Sequence, residues 1–159
     1  LYQGHSRTLF DLLEVREQLE GQAAFLAAQR ATNLDRHRLT QAYQALENTD
    51  PLHNARLDHG FHQAIVEASH NPVLVHVLSG LKNMMLLTVQ ASVSNLNPRE
   101  EMRRRITRHH KQLYEAIMAA NPRQARKIAI HHVQFVRQTL MEMEKRGDQL
   151  LREPAPEAP

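Results

Sequence analysis

The chain has 159 residues, of which 42% are apolar, 23% charged and only 4% aromatic, and its formal net charge is +3. The length suits a single globular domain, and because there is neither an apolar run of about 18 residues nor a signal peptide, we expect a cytoplasmic protein. No cysteine is present, which excludes disulfides and thiolate chemistry and leaves only nitrogen and oxygen ligands for any metal ion.

Apolar residues recur at helical spacing along most of the chain. Residues 1–7 are predicted to be a connector, and a first helix runs from Thr8 to about Arg30. Thr32 is predicted to cap a second helix, with Asp35 completing an imperfect capping box. Turn signals containing Asn and Pro then separate further helices. These helices are expected at about 52–69, 72–93, 99–119 and 123–146.

No segment shows the pattern of a strand, so the predicted fold is all-α. We expect an antiparallel bundle of six to seven helices, formed by residues 8–147, with a central cavity for a metal ion and an effector. The Pro-rich tail, residues 148–159, is predicted to be disordered. Basic residues cluster in the fifth helix, but acidic residues lie among them and no aromatic residues alternate with them, which favours a solvated face over a nucleic-acid surface.

Asp58 and His62 are separated by four positions in the third helix. This spacing places both side chains on one face, about one turn apart. A carboxylate and an imidazole so arranged can bind one metal ion together. They can equally form a structural hydrogen bond between Asp and His, and the pair alone does not decide between the two interpretations.

Two His-His pairs, one in the fifth helix and one in the sixth, each offer one inward and one outward ring. His110 shares a stripe with apolar residues at Ile106 and Leu113, and His132 has apolar residues four positions away on both sides. Their neighbours His109 and His131 line up with polar residues and are predicted to face solvent.

Asp58, His62, His110 and His132 are thus four polar groups on three helices, all predicted to face inward. Leaving such groups buried without partners costs a few kcal/mol each, roughly. One shared cation would satisfy all four, and this ligand set suits a divalent transition metal ion such as zinc, nickel, cobalt, manganese or iron. The alternative is a buried polar network that includes water.

Several separated blocks resemble, in order, the effector-binding (FCD) domain of GntR-type bacterial transcriptional regulators of the FadR subfamily. The resemblance covers about residues 8–145. The blocks that carry it are Leu12–Glu20, Leu57–Ile65, Glu67–Asn71, His110–Ile117 and Ala125–Val133.

The resemblance implies that a winged helix-turn-helix domain, missing here, precedes this chain in the whole protein and binds operator DNA as a homodimer. Metal-binding members of the subfamily use one Asp and three His, which fall on the four residues selected above, with zinc favoured. A family Arg that faces the carboxylate of the effector falls on Arg16. Further segments are most similar to glycolate-operon regulators, so a small 2-hydroxy carboxylate is the expected effector, with glycolate favoured over lactate.

Two other interpretations remain open from the sequence. Open coordination positions are also what a metal-dependent enzyme needs, although no His-Glu-x-x-His or Glu-x-x-His motif supplies a catalytic pattern. The metal could instead be structural, in a helical domain that only dimerises. We expect that the chain is not an enzyme.

Overall fold

The computed structural model describes the backbone of residues 2–93 and 100–152 and the side chains of residues 7–82 and 100–147. The described residues form helices and turns without any strand, which confirms the all-α prediction. The central cavity stays a prediction. The helices are α1 (Tyr2–Arg30), α2 (Asn33–Glu47), α3 (Ala55–Ala68), α4 (Pro72–Val93), α5 (Glu100–Met118) and α6 (Pro122–Arg152).

The two terminal helices are longer than the sequence analysis expects. Helix α1 begins at Tyr2, so residues 2–7 continue the helix where a separate connector is predicted. Helix α6 continues through Arg152, so residues 148–152 are helical where the disordered tail is predicted to start. No proline occurs between Pro122 and Pro154, and proline is the residue that removes a helical backbone donor. The rest of the tail lies outside the described residues.

Polar side chains cap the helices at the predicted turns. The backbone N–H of Leu74 donates to Asn71 Oδ1 at 3.2 Å, and that of Gln124 donates to Asn121 Oδ1 at the same distance. Thr32 Oγ1 accepts from the backbone of Asp35 at 3.1 Å, while the Asp35 carboxylate accepts from the backbone of Thr32 at 2.8 Å. The reciprocal bonds complete the predicted capping box at the start of α2.

Replacing Thr32 with Ala should lower the free energy of unfolding by about 1 kcal/mol, because the first turn of α2 loses its side-chain acceptor. Urea denaturation of the variant checks this. The exposed neighbour Asn33 provides the control, since Asn33→Ala removes no capping bond. Equal stability of the Thr32→Ala and Asn33→Ala chains would contradict the role of the capping box.

Helix α1 lies in the middle of the bundle and contacts α3, α4, α5 and α6. It lies close to α6 at Gly21, where an added Cβ would lie 2.7 Å from Ile130 Cγ1. Buried alanines on the following turns let the other helices approach α1. They are Ala23, Ala24, Ala27 and Ala28. Because α1 is central, its polar residues Arg16 and Glu20 lie near His62 on α3.

Among the described helices, none combines the length and the apolar character needed to cross a membrane.

Candidate metal and effector site

Three histidines from three helices converge in the interior of the bundle. His62 on α3, His110 on α5 and His132 on α6 are 5%, 2% and 7% exposed. One ring nitrogen from each can be chosen so that all three lie within 4.8 Å of one another. Asp58, one turn before His62, completes the group, since its Oδ1 atom lies 3.0 Å from His110 Nε2 and 3.5 Å from His62 Nε2. The structure therefore brings together all four residues that the sequence analysis selects as metal ligands.

The ring nitrogens that point away from Asp58 have partners of their own. His62 Nδ1 lies 3.6 Å from Glu20 Oε2 on α1. His132 Nδ1 lies 3.1 Å from His109 Nδ1 on α5. Contacts of this kind, on the ring nitrogen opposite the metal, orient histidine ligands in known metal sites.

The surroundings of His110 Nε2 are chemically suited to a metal ion. This nitrogen is fully buried and has no hydrogen bond of acceptable geometry, although Asp58 Oδ1 is 3.0 Å away. Leaving a buried polar atom without a partner costs about 1–3 kcal/mol, so such atoms call for an explanation. A divalent cation between the imidazoles and the carboxylate would use this lone pair, and three nitrogens with one oxygen suit zinc or a neighbouring transition metal.

Two cations and a second carboxylate surround the four residues. Arg16 Nε donates to Glu20 Oε1 at 3.1 Å, and both side chains are largely buried. Lys82 on α4 contacts His59 Nδ1. Burial, reinforced by the charge of Arg16, lowers the pKa of Lys82 to about 8. Arg16, the predicted effector residue, thus lies at the site and is held by Glu20.

Burial and neighbouring charges shift the pKa values of three of the four residues, Asp58, His110 and His132. Burial lowers the pKa values of His110 and His132, which favours neutral rings. Burial opposes ionisation of Asp58, but His62 and His110 outweigh it and hold the pKa of Asp58 well below its usual range. Neutral rings at His110 and His132 and an ionised carboxylate at Asp58 are the forms in which these residues bind metal ions.

The metal-free chain should lose stability as the pH falls from about 6.5 towards 4. Burial lowers the pKa of His109 to about 4, whereas an unfolded His titrates near 6.5. Within this window the unfolded chain binds more protons than the folded chain, so acid favours unfolding. His110 and His132 act in the same direction. Thermal unfolding in the presence of a chelator should give a lower Tm at pH 5 than at pH 7, and an equal or higher Tm at pH 5 would contradict these shifts.

The structure corrects one prediction about the paired histidines. His131 is exposed as expected, but His109, predicted to face solvent, is only 5% exposed. Its ring packs edge-on against the rings of His131 and Phe135, with centroids 5.2 Å and 5.4 Å away. Helix α6 covers this face of α5, and helical periodicity within α5 alone does not show which neighbour lies over it.

The sequence analysis also missed Glu20 and Lys82. Glu20 stands four positions after Arg16, a spacing that favours an ion pair on a helix and is the available signal for it. Lys82 is a basic residue in the otherwise apolar segment Leu81–Leu87, interrupted only by Asn83, and no spacing pattern connects it to the histidines.

Comparison with known proteins identifies the family. The model of the FCD domain matches residues 11–135. The "Glc operon transcriptional activator" of Escherichia coli K12 is 40% identical over 98% of this chain and 64% of its own length. The "Putative L-lactate dehydrogenase operon regulatory protein" of the same strain is 33% identical over 82% of this chain and 51% of its own length. The chain thus spans between half and two thirds of these relatives.

Solved structures agree with this assignment. Streptococcus agalactiae GntR matches with a TM-score of 0.68 and 25% identity, over 84% of this chain and 59% of that protein. E. coli McbR/YncC has the same fold, with a TM-score of 0.73 at 21% identity over 87% of this chain and 66% of its own. The matching proteins are transcriptional regulators, which confirms that the chain is not an enzyme. The chain belongs to the FCD domain family of GntR-type transcriptional regulators.

Proposed function

We propose that this chain is the ligand-sensing domain of a bacterial regulator that binds a small 2-hydroxy carboxylate through a divalent metal ion and Arg16. The observation that carries the proposal is the convergence of His62, His110, His132 and Asp58 from three helices, with His110 Nε2 buried and lacking a well-formed hydrogen bond. When bound, the metal ion, with zinc favoured, would supply open coordination positions for the carboxylate and hydroxyl oxygens of the effector.

The charges around the site favour an anionic ligand. The carboxylates of Asp58 and Glu20 are matched by the cations of Arg16 and Lys82, so these four side chains contribute no net charge when all are ionised. The histidine rings are kept neutral by burial where their pKa values are shifted. A divalent ion would therefore leave the site positive, and an anion would bind more strongly there than a neutral molecule of the same size.

Arg16 and Lys82 would hold the effector in place. Arg16 presents a planar guanidinium, which recognises carboxylates through paired charge-assisted hydrogen bonds. Its Nε atom is bound to Glu20, and this ion pair fixes the direction of the side chain. Lys82 supplies a second cation from α4. A small acid has little apolar surface, so such polar contacts must provide most of the affinity.

Glycolate is the favoured effector and lactate the second choice. The relative with 40% identity over almost the whole chain is named for the glc operon, and the next is named for an L-lactate dehydrogenase operon. Both acids carry a hydroxyl beside the carboxylate, so both can form a five-membered chelate through those two oxygens.

Effector binding would act on DNA through helix packing. The candidate ligands lie on α3, α5 and α6, while Arg16 lies on α1, so a molecule bound between them connects four helices. An effector that binds one arrangement of these helices more tightly shifts the population towards it. In a cytoplasmic homodimer this shift would change how two N-terminal DNA-binding domains are spaced on an operator.

Thermal unfolding tests the proposal. The chain is measured with glycolate, lactate, pyruvate or acetate, each with and without a chelator, because a ligand of the native state raises the Tm by mass action. We expect a 2-hydroxy acid to raise the Tm strongly and the chelator to abolish the effect. If metal is bound but no acid raises the Tm, the metal is structural and the proposed sensor function is wrong.

A further inference from the structure

His109 contacts a candidate metal ligand from outside the ligand group. Its Nδ1 atom lies 3.1 Å from His132 Nδ1, and the contact is buried. The ring is held edge-on to His132, with centroids 5.3 Å apart and an interplanar angle of 82°. His131 and Phe135 pack against the same ring, so His109 is fixed between α5 and α6.

A contact between two Nδ1 atoms requires that only one of them carries a proton. A neutral imidazole has one N–H donor and one nitrogen with a lone pair. If both Nδ1 atoms were protonated, two hydrogens would collide at this distance, and if neither were, two lone pairs would repel each other. The hydrogen bond therefore runs either from His132 to His109 or in the reverse direction.

The rest of the site selects the direction. His132 Nδ1 is occupied by His109, so Nε2 is the nitrogen that can join His62 and His110 around a metal ion. A ring nitrogen that binds a metal ion must offer its lone pair, which leaves the proton on His132 Nδ1. His109 Nδ1 is then the acceptor, and the proton of His109 lies on its Nε2.

We propose that His109 is a positioning residue that fixes the tautomer and ring orientation of His132 by accepting a hydrogen bond from His132 Nδ1–H. The proposal rests on the metal site proposed above. His62 has a charged partner for its Nδ1 atom, the carboxylate of Glu20, whereas His132 has a neutral one. A neutral acceptor orients the ring without cancelling any of the positive charge that attracts the effector.

Three variants of the 159-residue chain test this role by metal affinity, measured as competition for zinc with a chromophoric chelator. His109→Leu removes the acceptor. His109→Asn keeps one, because its side-chain oxygen stands two bonds from Cβ, as His Nδ1 does. His37→Leu is the control, because His37 is an exposed histidine on α2, away from this ring. We expect His109→Leu to weaken zinc binding about 10- to 100-fold, the usual effect of losing such a partner, with most of the affinity restored in His109→Asn and retained in His37→Leu.

Nuclear magnetic resonance of the unchanged, zinc-loaded chain tests the direction of the bond. With isotope-labelled histidine nitrogens, we expect a proton on His132 Nδ1 and scalar coupling across the bond to His109 Nδ1. A His109→Leu chain that binds zinc as tightly as the original, or a proton on His109 Nδ1, would overturn the inference. Failure of the original chain to bind zinc would instead overturn the metal site itself, so the two failures are distinguishable. If the His109→Leu chain does not fold, the scalar coupling measured in the unchanged chain decides whether His132 donates to His109.

Discussion

Replacing His110 with Ala should abolish both metal binding and the response to the effector. His110 is 2% exposed, and its Nε2 atom is the buried nitrogen without a well-formed hydrogen bond. Removing a hydrogen-bond partner of a ligand lowers metal affinity about 10- to 100-fold, so removing a ligand itself should lower the metal affinity by more than about 100-fold. Metal content after dialysis, with calorimetric titration of glycolate, measures both effects.

His37→Ala is the matched control, because His37 is an exposed histidine on α2. This variant should keep the metal content and the glycolate affinity of the original chain. If the His110→Ala chain keeps them as well, His110 is not a ligand, and the buried cluster is a polar network rather than a metal site. Circular dichroism of the His110→Ala chain establishes that it has folded before either result is interpreted.

Replacing Arg16 with Ala should weaken glycolate binding by about 10- to 100-fold while metal remains bound. A hydrogen bond to a charged group contributes about 1.5–3 kcal/mol, and every 1.4 kcal/mol, roughly, is tenfold in affinity. Arg16 is not one of the candidate metal ligands, so the Arg16→Ala chain should retain its zinc content. Lys82→Met should also weaken glycolate binding, since it removes the cation that α4 contributes.

The control for Arg16 is Arg7→Ala, which removes an exposed arginine from the same helix. It should leave glycolate affinity unchanged at moderate ionic strength. Because Arg16→Ala leaves the Glu20 carboxylate buried without its ion-pair partner, Arg16→Lys, which keeps a cation beside that carboxylate, separates the loss of the guanidinium from that electrostatic cost. Unchanged glycolate affinity in both Arg16 variants would show that Arg16 does not contact the effector.

The sequence predicts the fold well because each helix carries local signals. Turns with Asn and Pro mark α4 and α6, and the capping box at Thr32 marks α2. Three boundaries differ from the prediction: α1 begins before Thr8, α3 begins at Ala55 rather than near residue 52, and α6 continues past residue 147. Gly4 and Gly147 stand at the two outer boundaries without ending the helices, because one glycine costs a helix only about 1 kcal/mol.

The sequence also predicts some residues of the candidate site and misses others. His110 and His132 could be selected because their apolar neighbours recur on one helical stripe, and the structure places both in the interior. The burial of His109 could not be predicted from the sequence, because it depends on α6, which lies over this residue. Lys82 could not either, since α4 and α3 meet through packing that leaves no periodic signal. Periodicity shows which face of a helix is buried, but contacts between helices decide the partners of each polar group.

The most direct test of the sensor proposal is the absorption spectrum of the cobalt-loaded chain during titration with glycolate. The visible bands of cobalt depend on its ligands, so an effector that binds the metal must change them. We predict a saturable spectral change that competes with lactate and is absent in the His110→Ala chain. A spectrum that stays constant while calorimetry shows glycolate binding would mean that the acid binds elsewhere, which would contradict the metal-dependent mechanism.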